Sequence, residues 1–200
     1  MPIKAIIFDA DGVLVNKPKV FSECLEEDYG IKRSITSKFF KGDFQNCLVG
    51  KADLKKELEK YIKEWEWESS VDDLLKYWFK VEHHTDQRIV QLVKRLNKKI
   101  PCFMAVNQEA YRTEYMKSEM EFSKLFKEVF SSAYVGHKKP YTEFFEHVFK
   151  KIGQDLQIKK QEVLFVDDDL ENIEAAKSFG FQTLLYKDFP DFENLITQLL

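Results

Sequence analysis

Two hundred residues, 44% hydrophobic and 14% aromatic, can bury a substantial core as one domain of ordinary size or as one domain with an inserted lobe. The 31 basic and 34 acidic residues give a net charge of −3 and are scattered along the chain, which argues against nucleic acid and anionic membrane as partners. No run approaches the roughly 20 apolar residues that span a bilayer. The apolar stretch in "MPIKAIIFDADG" is too short for a signal-peptide core, and Cys24, Cys47 and Cys102 show no CxxC spacing, so a cytoplasmic protein with three reduced thiols is expected.

In chain order, "KAIIFD" (Lys4 to Asp9) reads as a buried parallel strand that stops at an aspartate, with Asp11 and Gly12 just beyond. From residue 17 to residue 85 the signals are helical and no convincing strand occurs. Leu54, Leu58, Tyr61, Ile62 and Trp65 form one apolar stripe; Val71, Leu74, Leu75, Trp78 and Phe79 form another. "EWEWE" (Glu64 to Glu68) alternates like a strand but ends a helical stripe, so its tryptophans are expected in a core. A helical block placed directly after the first strand predicts an inserted cap over residues 17–85, with residues 1–16 and 86–200 forming the core.

Ile89, Leu92, Val93 and Leu96 keep helical spacing before a second strand, "PCFMAVN" (Pro101 to Asn107). "EVFSSAYVG" (Glu128 to Gly136) reads as a weaker strand, and "HKKP" brings Lys138 and Lys139 after it. Phe144, Phe145, Val148, Phe149 and Ile152 mark the next helix, and "EVLFVDDD" (Glu162 to Asp169) the third strong strand. Ile173, Ala176 and Phe179 line a helix that Gly180 stops, and "FQTLLYK" (Phe181 to Lys187) is the last strand. This alternation predicts an α/β fold, a doubly wound parallel sheet of Rossmann-like type.

Ligands of open α/β sheets gather at the carboxyl ends of the strands. There the sequence places Asp9, Asp11, Asn107, Asp167, Asp168 and Asp169, with Lys139 arriving from a further segment. Each has a plain structural explanation: "DADG" as a turn, "DDD" as a hydrated helix start capped by Asp169, "HKKP" as a solvated loop. Turns and caps do not explain why acid clusters end two separate buried strands. Hard oxygen ligands without His or Cys favour Mg²⁺. By formal charge, Asp9, Asp167 and Asp168 against Mg²⁺ and one lysine sum to zero, so a phosphate dianion can approach. A carboxylate can attack phosphorus, and a second one two residues later can protonate the leaving alkoxide and then activate water; Asp9 and Asp11 fit those two tasks.

"FDADGVLV", "KKP" around Lys139 and "VDDDLENIEAAKSFGF", in this order, resemble the motifs of the haloacid dehalogenase-like hydrolase superfamily. The resemblance implies Asp9 as nucleophile and metal ligand, and Asp11 as general acid/base through its side chain and metal ligand through its backbone carbonyl. It also implies Asp168 as a direct Mg²⁺ ligand, Asp167 as a ligand or water-mediated partner, and Lys139 as the group that neutralises phosphate. "VNQEAYRTEYM" (Val106 to Met116) and "FFKGDFQNCLVGKAD" (Phe39 to Asp53) are similar to the subgroup of bacterial α-glucose-1-phosphate phosphatases and the N-terminal phosphatase domain of soluble epoxide hydrolase. The cap of that subgroup sits where the insertion falls.

One position departs from the pattern. The second motif usually ends in Thr or Ser, whose hydroxyl binds phosphate, and Val106 stands there instead. Either Asn107 supplies the contact through its side chain or backbone N–H, or the activity is weak or its substrate unusual. A hydrogen bond to a charged group is worth roughly 1.5–3 kcal/mol, so Val106→Thr is expected to raise kcat/KM.

The expected function is an Mg²⁺-dependent phosphatase acting on a small phosphorylated metabolite such as a sugar phosphate, as a monomer or weak homo-oligomer. A phosphomutase on the same residues and a catalytically weakened binding protein are the alternatives; persistence of both Asp9 and Asp11 argues against the latter. Dehalogenation would need neither Mg²⁺ nor Asp11, and phosphonate cleavage would need a cap lysine, Lys51 or Lys55. Phe40, Asp43, Phe44, Gln45 and Lys51 are candidates for substrate selection, and His83 and His84 are expected to be exposed.

Overall fold

A computed structural model describes residues 1–199, with side chains through residue 197. After β1 (Ala5–Phe8) come α1 (Phe21–Tyr29), α2 (Arg33–Lys41), α3 (Phe44–Leu48), α4 (Leu54–Glu59), α5 (Val71–Val81) and α6 (Gln87–Leu96). Then follow β2 (Cys102–Val106), α7 (Ala110–Ser118), α8 (Phe122–Leu125), β3 (Val129–Ser131), α9 (Ser132–Val135) and α10 (Thr142–Leu156). The chain closes with β4 (Val163–Asp167), α11 (Leu170–Phe179), β5 (Gln182–Leu185) and α12 (Phe189–Leu199).

The strands pair in parallel in the order β3-β2-β1-β4-β5, as the alternating pattern predicts. Every residue of β1, β2 and β4 is buried because helices cover both faces. Ile6, Phe8, Met104, Val106, Leu164 and Val166 face one apolar cluster; Ala5, Ile7, Phe103, Ala105, Val163 and Phe165 face the other. The chain steps from β1 outward to β3 and returns to β4 on the opposite side of β1, which opens a crevice at their carboxyl ends. Pairing of Phe8 with Val166, and an Asp9 N–H to Val166 C=O bond of 2.8 Å, bring Asp9 level with Asp167.

The weaker strand is shorter than its sequence predicts. β3 ends at Ser131, whose side chain accepts the Ala133 N–H and starts α9 in its place. A local serine cap here outweighs the β-propensity of the following apolar residues.

The inserted helices α1 to α5 carry their own apolar cluster, in which the Phe21 and Trp78 rings stack 4.5 Å apart. Trp65 and Trp67 are buried in it. The stripe from Leu54 to Trp65 is not one helix: α4 ends at Glu59 and the chain continues in turns to Glu66, at φ 53°. Ile62 and Trp65 still donate to the carbonyls four residues back, which keeps Leu58, Tyr61 and Trp65 on the inward side.

The two passes between the sheet and these helices run side by side. Val15 bridges Thr85, Asn16 N–H bonds His84 C=O at 3.0 Å, and Asp86 N–H bonds Leu14 C=O at 2.8 Å. Among the described residues, no helix is long and apolar enough to cross a membrane.

Candidate active site

The end of β1 delivers Asp9 and the end of β4 delivers Asp167, at 8% and 0% exposure, with Lys139 between them at 2%. Lys139 Nζ donates to Asp9 Oδ1 and to Asp167 Oδ2, each at 2.7 Å. Asp167 also accepts Asn172 Nδ2 on both oxygens, at 3.1 and 3.2 Å, and the Asp169 N–H on Oδ1 at 2.9 Å. Burial pushes the Asp9 carboxyl well above the usual carboxylate range, against the pull of Lys139. The same burial would lower the Lys139 ammonium, but Asp9 and Asp167 together outweigh it and raise it.

Lys139 reaches this position because Asn107 grips its backbone. Asn107 Nδ2 donates to Lys139 C=O at 2.9 Å, and Lys139 N–H donates to Asn107 Oδ1 at 2.8 Å. The Asn107 side chain is thus spent on holding Lys139, one step behind the place where the sequence put it. The Val106 side chain is buried in the apolar cluster with Ala10, Met104 and Met116. A hydroxyl added there would enter an apolar region, so Val106→Thr is expected to cost stability beside any gain in kcat/KM.

Asp11, Gly12 and Asp168 form the rim. Gly12 has φ +83°, and a Cβ on it would lie 2.0 Å from Asp168 Oδ2, so the Asp168 carboxylate rests in space that only glycine leaves. Partial burial, with Asp167 next, raises the Asp168 carboxyl. Asp11 is half-buried and held on both oxygens: Gln108 Nε2 donates to Oδ2 at 2.7 Å, and Lys17 Nζ lies 3.0 Å from Oδ1 as an ion pair not aligned as a hydrogen bond. Lys17 also reaches Glu82 Oε2 at 3.2 Å, and the other oxygen of Glu82 accepts the Phe21 N–H at 3.0 Å. Buried Arg112 donates to the Phe79 and Glu82 carbonyls at 3.0 Å each, tying α7 to the end of α5.

Carboxylate oxygens of Asp9, Asp167 and Asp168 lie within 4.8 Å of one another. Three formal negative charges face one lysine that contacts two of them, and the donor set is all hard oxygen, which fits a small dication such as Mg²⁺. A cation there would also offset the like-charge repulsion that Asp167 exerts on Asp9 and Asp168.

Sequence reasoning missed Gln108, Lys17, Glu82, Arg112 and Asn172. Only Asn172 carried a local signal, sitting in the first turns of a helix whose N-terminus abuts Asp167. Of the selection candidates, Gln45 Oε1 accepts from Lys138 Nζ at 2.7 Å, while Asp43 is occupied by the Tyr61 hydroxyl at 2.8 Å. Phe40 and Phe44 pack against Trp78, and Lys51 is exposed beside the Asp53–Tyr111 contact. His83 and His84 are exposed, as expected, with His83 Nδ1 2.8 Å from the Tyr115 hydroxyl. Glu82 also lines a cavity of about 560 Å³ where Val20, Phe21, Phe40 and Trp78 meet Arg33, Lys41 and the hydroxyl side chains of Ser22, Ser34, Thr36 and Ser37.

Residues 3–180 match the family model of haloacid dehalogenase-like hydrolases. A sesquiterpene phosphatase of Aspergillus oryzae is 35% identical over 105 residues, 52% of this chain and 51% of that protein. A drimenol cyclase of Aspergillus calidoustus is 33% identical over 75 residues, 38% of this chain and 13% of its own length. The matches thus span about half or less of these curated relatives. Among solved structures, a HAD family enzyme of Bacteroides thetaiotaomicron superposes with a TM-score of 0.81 at 18% identity, covering 98% of this chain and 99% of that one. The same enzyme in complex with magnesium and inorganic phosphate gives a TM-score of 0.79 at 20% identity, over 96% and 98% of the two chains.

Proposed function

The chain belongs to the haloacid dehalogenase-like hydrolase family, and from that premise we propose that it is an Mg²⁺-dependent phosphatase of small phosphomonoesters, working through an aspartyl-phosphate on Asp9. The observation that carries the reading is the pairing of buried Asp9 with Lys139 at 2.7 Å, beside further carboxylate oxygens within 4.8 Å. The sesquiterpene phosphatase among the relatives, and the Bacteroides enzyme bound to magnesium and phosphate, support it.

An Asp9 oxygen attacks phosphorus and the ester P–O bond breaks. Asp11 gives its proton to the departing oxygen, then takes one from the water that cleaves the phosphoaspartate and regenerates Asp9. Lys139 offsets charge on the phosphoryl group and on Asp9. Asp9, Asp168, the Asp11 backbone carbonyl and, directly or through water, Asp167 would hold Mg²⁺, which lowers the repulsion between the phosphate and the acid cluster. Asn107 acts by fixing Lys139. Residues 17–85 act as a cap over the strand ends, hinged where residues 14–16 pair with residues 84–86. The same residues would serve a phosphomutase if the phosphoryl group returned to the substrate.

For the leaving group, a sugar follows from the resemblance to glucose-1-phosphate phosphatases. A second reading, an apolar alcohol, is favoured by the Val20, Phe21, Phe40 and Trp78 wall next to Glu82, and by the sesquiterpene phosphatase relative. A panel containing glucose 1-phosphate and a sesquiterpenyl monophosphate, assayed with and without Mg²⁺, should show metal-dependent phosphate release that Asp9→Asn abolishes. Release from no compound, or equal rates for Asp9→Asn and wild type, would remove the phosphatase reading; preference between the two esters separates the leaving groups.

A further inference from the structure

We propose that Gln108 is the positioning residue for Asp11, an inference that rests on the acid/base role given to Asp11 above. Gln108 lies two residues beyond β2, in the segment where Val106 offers no hydroxyl to phosphate. Its backbone is fixed: Gln108 C=O accepts the Ser131 hydroxyl at 2.8 Å and the Ala133 N–H at 3.2 Å, both from the β3–α9 junction. From this platform its side-chain Nε2 reaches Asp11 Oδ2 at 2.7 Å, the one amide orientation that a carboxylate does not repel.

An acid/base group works only in hydrogen-bond reach of the oxygen it serves. Asp11 sits just past the end of β1 with its side chain 33% exposed, so the sheet alone does not fix its rotamer. Gln108 supplies that constraint from the core side, and the Lys17–Glu82 pair, at 3.2 Å, supplies one from the cap side. A neutral amide donor restricts where the carboxyl points without adding a second charge beside the one Lys17 brings to Oδ1.

A misplaced general acid slows esters in proportion to how much their leaving oxygen needs a proton. The test is kcat/KM, which reports the first phosphoryl transfer, for phenyl, p-nitrophenyl and 2,4-dinitrophenyl phosphate, nearly equal in shape and graded in leaving ability. Gln108→Met keeps length and loses the donor. It should lower kcat/KM about 10- to 100-fold for phenyl phosphate and less than about 3-fold for the dinitrophenyl ester, part of the roughly 10²–10⁴-fold that general acid catalysis supplies. An equal fall on all three esters, or none, overturns the proposal, because a structural or binding role does not grade with the leaving group. Gln108→Asn, which keeps the amide but shortens it, serves if the Met variant does not fold, with the same graded loss expected. Wild type inactive with Mg²⁺ on all three esters and on the panel above would strike the phosphatase reading itself.

Discussion

Asp167 and Asp11 are both aspartates at strand ends in one crevice, yet their surroundings are built differently. The donors on Asp167 (Lys139, Asn172 and the Asp169 N–H) come from the sheet and its connections, and the residue is fully buried. Asp11 is held by Gln108 from the core and by Lys17, which Glu82 anchors at the end of α5. The floor of the site is therefore set by strand register, while the rim is set by the joint between the sheet and the inserted helices. Charge placed on the floor is locked into the stability of the fold. Charge placed on the rim is coupled to how the helices sit.

The hardest blow to the floor is Lys139→Met. It leaves Asp9 and Asp167 buried without their cation, and breaking a buried pair by removing one partner costs about 3–5 kcal/mol. Urea unfolding should show that loss, together with the loss of phosphatase turnover. A cost below about 1 kcal/mol, the range of exposed ion pairs, would mean that the floor is hydrated and that its contrast with the rim is false.

On the rim, Gly12→Ala should abolish metal-dependent turnover at a smaller cost in stability. The new Cβ would occupy the place of the Asp168 carboxylate, and the left-handed backbone adds about 1–2 kcal/mol of strain. Unchanged turnover with the fold intact would show that Asp168 is not needed where it lies.

Glu109 probes the support beneath the rim. It caps α7 through the Tyr111 N–H at 2.7 Å and the Arg112 N–H, and burial pushes its carboxyl up to about 7, with Arg112 opposing and Asp53 adding to the rise. An unfolded-chain glutamate titrates near about 4.3, so the fold favours the protonated form. That contribution is complete below the unfolded value and is lost as pH climbs through the folded one. Glu109→Gln should therefore gain stability relative to wild type between pH 5 and pH 8, by no more than about 3 kcal/mol. A difference that stays flat or falls over that range would show that Glu109 is ionised throughout.

The floor was legible in the sequence and the side chains that hold the rim were not, for a physical reason. Asp9 and Asp167 each follow four buried strand residues, so period and position alone bring them to one end of a parallel sheet. Lys139 is distant in sequence but follows the weak third strand, and its placement needed only the order of elements. Gln108, Lys17 and Glu82 lie in loops or at a helix end, where glutamine, lysine and glutamate are ordinary solvated residues. Nothing local marks them; their meaning comes from where α5 ends against α7. The same limit explains Asn107: the sequence puts it at the strand ends, and only the fold shows its side chain bonded to the Lys139 backbone. It also explains the overlong β3, where a capping serine and a strand residue look alike until Ala133 N–H is seen to bond it.

The smallest effect separates two neighbours that the sequence shows as equals. Asp168 reaches over Gly12 toward the acid cluster, whereas Asp169 Oδ1 accepts the Glu171 N–H at 2.8 Å and caps α11, as the sequence predicts. Asp169→Ala should cost about 1 kcal/mol, the usual worth of an N-cap, and leave turnover largely intact. Its backbone N–H still reaches Asp167 Oδ1, which an alanine preserves, so the floor keeps its donor. Asp168→Ala should do the reverse, abolishing metal-dependent turnover at little cost in stability, since its carboxylate is at the surface and repelled by Asp167. Thermal unfolding and Mg²⁺-dependent phosphate release measured on both variants place each aspartate; equal losses of turnover would merge them into one metal cluster and move the boundary between floor and rim to the start of α11.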